Sequence, residues 1–378
     1  MHPALLVPDV VDCIFTFICK EADRQTRNRT FAALARTCSA LSEPSLDTLW
    51  SELHSLYPLM SCIYDSNAKL CDEACFPYSH VSPQAEPLFE QRTDADLSVF
   101  LKYAYRVRKL IFGCTSGWVP TESATAVTDH LGAIHVLHVP TPLLPNLNHL
   151  VWADGLSLPL LLPLLNPRLI SLRMLSIQWS PKFTPLFLSK IPGFCPELRS
   201  LTMRFQLLEG FSDQTLAASC LSRVIGSWKK LEVLHCNPTG CGGILSLSLL
   251  SSSLKILQLQ VDNSSVMDLP ANSLSFPSLQ TFRFSANNLG TAFSLLQAMR
   301  SLPKSIEIDL PMHQFGDVGD GTETVELIPR LIAQVASCDI LEEFRMRFST
   351  PGAIPFNICD MLRPLFVCCN LRTLRLAV

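Results

Sequence analysis

The sequence contains few charged residues and no excess of either sign. Charged side chains make up 17% of the 378 residues, and 30 basic against 33 acidic residues give a formal net charge of −3. A chain that binds nucleic acid normally carries a basic excess or stripe, and a solvated acidic tail needs a block of like charges. The composition therefore disfavours nucleic acid as a partner and disfavours a long charged tail.

A secretory leader and a membrane span are also missing from the pattern. A signal peptide needs a basic start and an uninterrupted apolar core, whereas the apolar run Leu5–Phe15 has no Lys or Arg before it and contains Asp9 and Asp12. The most apolar internal segment, Gly155–Pro167, carries internal prolines and is shorter than a membrane span requires. We therefore expect a protein of the cytoplasm or nucleus that does not bind a membrane.

Cysteines are numerous, yet the spacings in which cysteine does chemistry are absent. The chain has 15 Cys residues and no C-x-x-C pair, so neither a zinc ribbon nor a thioredoxin-like site is indicated. Because most of them lie among apolar residues, we interpret them as reduced thiols that act as small hydrophobic side chains. Histidines such as His135 and His138 lack a completing set of ligands, so we predict no metal site and no cofactor.

Signatures of common enzyme classes do not occur either. The glycine-rich segment TGCGGI at Thr239 lacks the lysine of a phosphate loop, and FGDVGDGTET at Phe315 lacks the acidic spacing of a calcium loop. The sequence has no G-x-S-x-G, kinase or zincin signature. We therefore predict that the protein is not an enzyme. A hydrolase with an irregular fold is the third of three interpretations, and the first two, which are given below, are binding functions.

The first sixty residues contain three patterns that are typical of helices. Apolar residues recur at three- and four-residue spacing over Val10–Ile18. They follow Pro8, which the first turn of a helix tolerates. A second helix is predicted over Thr30–Leu41 with Thr30 as its cap, and a third over Glu43–Met60. Together they predict a small helical domain.

Beyond residue 107 the chain repeats a pattern of the form L-x-x-[LF]-x-Φ, where Φ is apolar. Several units start roughly 23 to 26 residues apart, within the range of leucine-rich repeats. The units begin at Leu147, Leu172, Leu198, Leu231, Leu254, Leu279, Leu341 and Leu371, with degenerate members at Val107 and Ser305.

These repeats predict the fold class. Because side chains alternate along a strand, the last two apolar residues of each unit point to one side. Stacked units would bury them in a continuous core beneath a parallel ladder, with helices outside. We predict an α/β protein with a three-helix domain at residues 1–60, a linker and connecting helix at 61–106, and a curved leucine-rich-repeat solenoid at 107–378, with or without a C-terminal cap.

Strand side chains that alternate away from this core form the predicted concave face. They are largely polar and include arginines, which suits an acidic segment of a protein substrate, although a solvent-facing strand surface is polar in any case. The candidate substrate-binding residues are Gln178, Arg204, Gln258, Gln260, Arg283, Arg345, Arg347 and Arg375.

The three N-terminal helices resemble an F-box. The segments LLVPDVVDCIFTFI, FAALARTCSAL and LDTLWSEL follow the F-box order of a proline-led helix, a helix with an alanine, leucine and cysteine face, and a late LW pair. With its irregular repeats the whole chain resembles the F-box proteins of mushroom-forming fungi. The resemblance implies that the F-box binds the Skp adaptor, and through it the cullin, of an SCF-type ubiquitin ligase, while the repeats hold the protein to be ubiquitinated.

The resemblance also implies which side chains contact the adaptor. They are Leu6, Pro8, Asp9, Val10, Ile14, Phe15, Leu34, Cys38, Leu49 and Trp50. For Ile14, Leu34 and Trp50 the alternative is that they only pack the three helices together. The connection predicted between the first two helices is long and charged, which departs from the F-box pattern. The alternative function is therefore a leucine-rich-repeat interaction scaffold with a degenerate F-box, independent of ubiquitination.

Overall fold

The structure is a computed structural model of the chain. It describes residues 7–62, 94–112, 141–152, 158–178, 184–206, 223–237, 241–250, 252–261, 269–310, 321–348 and 362–377. The chain divides into two compact units, Met1–Leu169 and Ile170–Val378. Both units contain helices and parallel strands, which confirms the predicted α/β class. His135, His138 and most of the predicted linker lie outside the described residues.

The first unit opens with three helices, α1 (Pro8–Glu21), α2 (Arg24–Thr37) and α3 (Ser39–Ser51). Pro8 lies in the first turn of α1 as predicted, because the N–H that proline lacks has no partner there. The predicted start of α2 at Thr30 is wrong, since Asp23 caps a longer helix. Its carboxylate accepts hydrogen bonds from the N–H groups of Gln25 and Thr26, at 2.9 and 3.1 Å. Most of the predicted charged connection is therefore helical.

A small apolar core holds these helices together. Val11 and Phe15 of α1 pack against Phe31 of α2. The rings of Phe15 and Phe31 meet edge to face, with their centroids 5.0 Å apart, an arrangement that aromatic pairs prefer. Partly buried side chains complete the core: Ile18, Leu34, Leu41 and Leu49. We call all of these residues the helical core.

Three parallel strands in the same unit pair in sequence order: β1 (Glu52–Leu53), β2 (Lys109–Ile111) and β3 (His149–Trp152). The first of them follows α3 without a gap. The pairing of β1 with β2 joins the helices to the first strands within this unit, which ends at Leu169. The predicted domain bounds at residues 60 and 106 stay predictions.

Two short helices lie between β1 and β2 in the sequence, α4 (Tyr57–Met60) and α5 (Asp94–Ala104). Near the end of α5, Tyr103 stacks on Trp50 of α3, with ring centroids 4.3 Å apart. Just after α5, the guanidinium of Arg106 forms ion pairs with Glu43 and Asp47 of α3. The connecting helix is thus fixed to the three-helix domain by an aromatic pair and by a shared arginine.

Glu52 on β1 gives this unit a defined response to acid. Its carboxylate oxygens lie 2.9 Å from Nε2 of His54 and 3.5 Å from Nζ of Lys109. The hydrogen bond with His54 lowers the pKa of Glu52 to about 2, against the opposing effect of burial. Because this pKa is depressed on folding, the stability that Glu52 contributes is present above pH 4.5 and lost as the pH falls toward 2.

Glu52→Gln is therefore expected to destabilise the protein more at neutral pH than at acidic pH. We expect it to lower the free energy of unfolding by about 1 kcal/mol at pH 7, since the site is partly exposed and screened. Urea denaturation of both proteins at pH 7 and pH 3 measures the difference. A difference that stays constant or grows between the two pH values would show that the ionised carboxylate is not the stabilising group.

The described residues of the second unit form eight parallel strands, and neighbours in sequence are neighbours in the ladder. They are β4 (Ser171–Gln178), β5 (Ser200–Gln206), β6 (Val233–Cys236), β7 (Ile256–Val261), β8 (Thr281–Ala286), β9 (Ser305–Leu310), β10 (Glu343–Phe348) and β11 (Thr373–Ala377). The α-helices described between them are α6 (Thr184–Phe194), α7 (Cys241–Leu250), α8 (Leu289–Ala298) and α9 (Gly321–Ala336). Each predicted repeat, including the two degenerate ones, contributes one strand, which confirms the predicted parallel ladder.

Side chains of this ladder alternate between a buried side and an accessible side, as strand geometry requires. In β7 the buried residues are Leu257, Leu259 and Val261. The accessible ones are Ile256, Gln258 and Gln260. We call the accessible side the polar strand face. The alternation is interrupted at Thr202 of β5, which is buried, and is lost in β11, where Leu374 keeps 36% of its surface exposed.

One repeat is out of register with the prediction. Leu172 pairs with Leu201, and Met174 pairs with Met203. The unit therefore begins at Leu169 and not at Leu172, and Met174 is buried rather than accessible. Leucines three residues apart fit the repeat pattern from either start, so the sequence alone could not choose between them.

Candidate interaction surfaces

The outer side of α1 carries apolar side chains that the helical core does not cover. Val10, Ile14 and Phe17 are exposed, and Phe17 keeps 64% of its surface accessible. Val7, directly before the helix, is exposed as well. Residues at these three- and four-residue spacings share one helical face. We call Val7, Val10, Ile14 and Phe17 the α1 stripe.

This helix is therefore apolar on two sides. The inner side packs Val11 and Phe15 into the helical core, while the α1 stripe faces outward. We predicted a single apolar face for Val10–Ile18, and the structure divides it because Phe31 of α2 contacts only one side. A contiguous apolar surface that is left exposed on a helix is typical of a partner-binding site.

The predicted adaptor contacts divide between the surface and the interior. Four are exposed on α1: Pro8, Asp9, Val10 and Ile14. Three lie in the helical core and are placed to support the surface from beneath: Phe15, Leu34 and Leu49. Phe15 is buried because its ring packs against that of Phe31, so its direct contact with the adaptor stays a prediction.

Three further predicted contacts have other positions. Trp50 packs on Tyr103, and Cys38 is the partly buried residue between α2 and α3. Leu6 lies outside the described residues. The sequence prediction missed Phe17, although its spacing of three from Ile14 and seven from Val10 could have revealed it.

On the second ladder, the polar strand face is organised in straight rows because the strands are parallel and in register. One row runs across all eight strands, and we call it the central row. It consists of Arg173, Thr202, His235, Gln258, Arg283, Glu307, Arg345 and Arg375. Neighbouring members belong to strands about 4.8 Å apart.

Acidic partners neutralise the arginines near β9 and β10. Glu307 lies 3.1 Å from Arg283 and 3.4 Å from Arg347, each between a carboxylate oxygen and a guanidinium nitrogen. Glu343 accepts a hydrogen bond of 2.6 Å from Arg345. Hydrogen bonds from Arg345 and Ser305 hold the pKa of Glu343 below its usual value. Arg345 and Arg347, two predicted substrate contacts, are therefore paired within the ladder.

The opposite end of the central row is more positive. Arg173 and Arg204 are exposed, and in the described part of the chain neither has a carboxylate within ion-pair distance. Between them and Arg283 lies His235, which is partly buried. Burial, and then the positive charges of Arg283, Arg173 and Arg204, lower the pKa of His235. At neutral pH this end therefore presents arginine charges around a neutral imidazole.

The remaining predicted substrate residues are spread along the same face. Gln260 is exposed and pairs in register with Ser285. Gln178 aligns with Gln206 after a register shift in β4, and its side chain is outside the described set. The sequence prediction does not include Arg173 or His235, because the predicted register puts Arg173 on the buried side and the row that contains His235 becomes visible only when the strands are paired.

Within the ranges that the structure describes, no group of His, Cys, Asp and Glu is arranged to hold a metal ion. The helices among those ranges are also too short or too polar to cross a membrane.

Comparison with known proteins adds little. No protein-family model and no curated protein matches the sequence. Among solved structures the chain is similar to TLR13, in a crystal structure of the TLR13–ssRNA13 complex, with 14% identity and a TM-score of 0.32. The match covers 67% of this chain and 35% of that chain, so this protein spans about a third of its neighbour. The strand order and register of the ladder itself identify the second unit as a leucine-rich-repeat-type fold.

Proposed function

We propose that this protein is the substrate-recognition subunit of an SCF-type cullin-RING ubiquitin ligase. In this proposal the α1 stripe binds a Skp-type adaptor, which connects the chain to a cullin, and the polar strand face of the second ladder binds the protein to be ubiquitinated. The protein acts by holding two partners and performs no catalysis itself.

The observation that carries the proposal is the α1 stripe. A helix that is already anchored by Phe15 has no need of a second apolar side for its own folding. Amphipathic helices dock through such i, i+3, i+4 and i+7 anchors into an apolar groove. Full burial of one large apolar side chain contributes about 1.5–3 kcal/mol, so Phe17 and Ile14 together could supply a substantial part of the binding free energy.

The ladder supports the second half of the proposal. Its accessible side chains stand on paired strands, so they are held at fixed spacing, and their rows contain arginine, amide and carboxylate groups. Such a surface binds by charge and hydrogen-bond complementarity, which selects among partners more than it adds raw affinity.

Phe17→Glu is expected to abolish binding of the adaptor. A carboxylate within an apolar contact would be desolvated without a partner, and we expect a loss of at least about 30-fold in affinity, equivalent to about 2 kcal/mol. Co-purification of the full chain with a Skp-type adaptor from co-expressing cells measures it.

The matched control is Leu186→Glu on α6. Leu186 is 65% exposed, nearly the same as Phe17, but it belongs to the second unit. This control should retain the adaptor. If wild-type chain brings down no adaptor, the protein is better described by the alternative, a leucine-rich-repeat scaffold with a degenerate F-box. If both variants lose the adaptor equally, the α1 stripe is not the docking surface.

A further inference from the structure

We propose that one edge of β11 is a docking site for an extended, acidic segment of a partner protein, which adds to the ladder as a further strand. The edge in question is the one that faces away from β10, and we call it the outer edge. The contact is made with the edge of the sheet and not with its polar strand face. It is therefore separate from both surfaces of the proposed function.

The outer edge of β11 offers backbone hydrogen-bonding groups. Among the described residues, β10 is the only strand that pairs with β11. The N–H group of Thr373 points toward β10, because it donates a hydrogen bond of 3.2 Å to the carbonyl oxygen of Glu342. Successive residues of a strand direct these groups to opposite edges, so those of Leu374 and Leu376 point away from β10. Such an edge is a template for another strand.

Apolar side chains beside this edge lack the cover that the preceding strand has. Leu374 pairs with Phe344 of β10, which is completely buried, whereas Leu374 keeps 36% of its surface exposed. Phe344 is buried because its strand has a partner on each side. Phe366 and Val367, in the short helical turn before β11, are 76% and 81% exposed. A strand added to β11 would cover Leu374 in the way that β11 covers Phe344.

Charge selects an acidic occupant for this edge. Residues 362–377 contain three arginines, Arg363, Arg372 and Arg375, and no acidic residue. The acidic residues of the neighbouring repeat, Glu342 and Glu343, already form ion pairs with other basic side chains. A partner strand that brings its own carboxylates would therefore supply the opposite charge that cross-strand pairing favours.

A second copy of this chain is a poor occupant for the same reason. Two β11 strands placed side by side would bring the arginines of both copies together, and like charges opposite each other destabilise a strand pair. An extended segment that alternates acidic and apolar residues fits better. Because side chains alternate along a strand, its acids would lie beside Arg375 and its apolar residues beside Leu374 and Leu376.

The test uses the full chain and three fluorescein-labelled octapeptides with blocked ends. The first peptide alternates valine and glutamate, the second alternates valine and lysine, and the third has four valines followed by four glutamates. We expect fluorescence polarisation to show the first peptide binding wild type at least about tenfold more tightly than the other two. Arg372→Glu/Arg375→Glu should reverse this preference, so that the lysine peptide binds more tightly than the glutamate peptide.

The matched control is Arg173→Glu/Arg204→Glu. These two arginines are exposed on the polar strand face, far along the ladder from β11. The control should change the affinity of the first peptide less than about threefold. Equal losses in the two double variants would mean that the peptide binds by overall charge, which would overturn the proposal.

Hydrogen–deuterium exchange of the wild-type chain tests the backbone pairing without any variant. The first peptide should slow exchange in Thr373–Ala377, where the N–H groups of Leu374 and Leu376 become hydrogen-bonded, and leave β4 to β8 unchanged. Unchanged exchange in β11, or equal binding of the alternating and block peptides, would contradict an added strand. If no peptide binds, the arginines serve only to keep strand edges apart, and the proposal fails.

Sedimentation velocity separates the remaining occupant. Dimers of the wild-type chain that dissociate in Arg372→Glu/Arg375→Glu would assign the outer edge to a second copy and overturn the proposal. No adaptor takes part in any of these measurements, so their failure leaves the proposed function standing, and failure of the adaptor assay leaves this proposal standing.

Discussion

Leu259→Asp is expected to unfold the second ladder. Leu259 is buried on β7 and is aligned with Cys236 and Phe284 on the neighbouring strands. A carboxylate at this position would be buried among apolar side chains without a partner, which places it among the most destabilising kinds of substitution, above about 4 kcal/mol. Because each repeat is stabilised by its neighbours, the loss should extend to both sides of β7. Guanidinium denaturation followed by circular dichroism measures it.

The next residue on the strand provides the control. Gln260 is exposed on the polar strand face, so Gln260→Asp should change the free energy of unfolding by no more than about 0.5 kcal/mol. Similar destabilisation by the two aspartates would contradict the alternation of buried and accessible side chains on β7, and with it the placement of the polar strand face.

Phe31→Ala is expected to have the largest effect on the helical domain. Phe31 is almost completely buried and is the side chain of α2 that Phe15 and Val11 pack against. Truncation of a buried phenylalanine costs about 3–5 kcal/mol, which is a large fraction of the stability of a small core. We expect α1 to detach and become accessible to limited proteolysis.

Phe17→Ala is the control for this second prediction. Its ring is mostly exposed, so removing it should leave the resistance of α1 to proteolysis unchanged. The two variants distinguish the inner side of α1 from its outer side. Phe31→Ala should affect folding, and Phe17→Ala should affect only binding. Proteolysis of α1 at the same rate in both variants would mean that the helix is held by something other than the helical core.

The positions of the strands could be predicted from the sequence because the signal is repeated. A single L-x-x-L-x-L match is weak, but every unit in the series forms a strand, even the degenerate SIEIDL at Ser305. Register was harder to predict. At Leu169 and Leu172 the same spacing fits twice, and only pairing with Leu201 decides which start is right.

The division of α1 into two sides could not be predicted from the sequence alone. Val10 and Val11 are adjacent, as are Ile14 and Phe15, and periodicity places all four on one broad apolar face. Which member of each pair is buried depends on where Phe31 of α2 lies, and the long-range contact that determines it leaves no local signal. The start of α2 was missed for a different reason, since Asp23 is a cap hidden in a run of mixed charges.

Cross-strand pairing also limits how far binding residues can be predicted. Arg283, Arg345 and Arg347 appear equivalent to Arg204 in the sequence, because all lie on accessible strand positions. Their acidic partners come from strands β9 and β10, so the difference becomes visible only when the rows are aligned. The arginines without an acidic partner among the described residues therefore lie on β4 and β5, and not at the β9–β10 end of the face.

The most direct test of the central claim is hydrogen–deuterium exchange of the full chain with and without a purified Skp-type adaptor. The α1 stripe lies on Pro8–Glu21 and the residue before it, so we expect adaptor-dependent protection of peptides from this helix, and no change in peptides from the strands of the second ladder. Protection of the ladder without protection of α1, or no protection anywhere at saturating adaptor, would contradict the assignment of α1 as the docking helix.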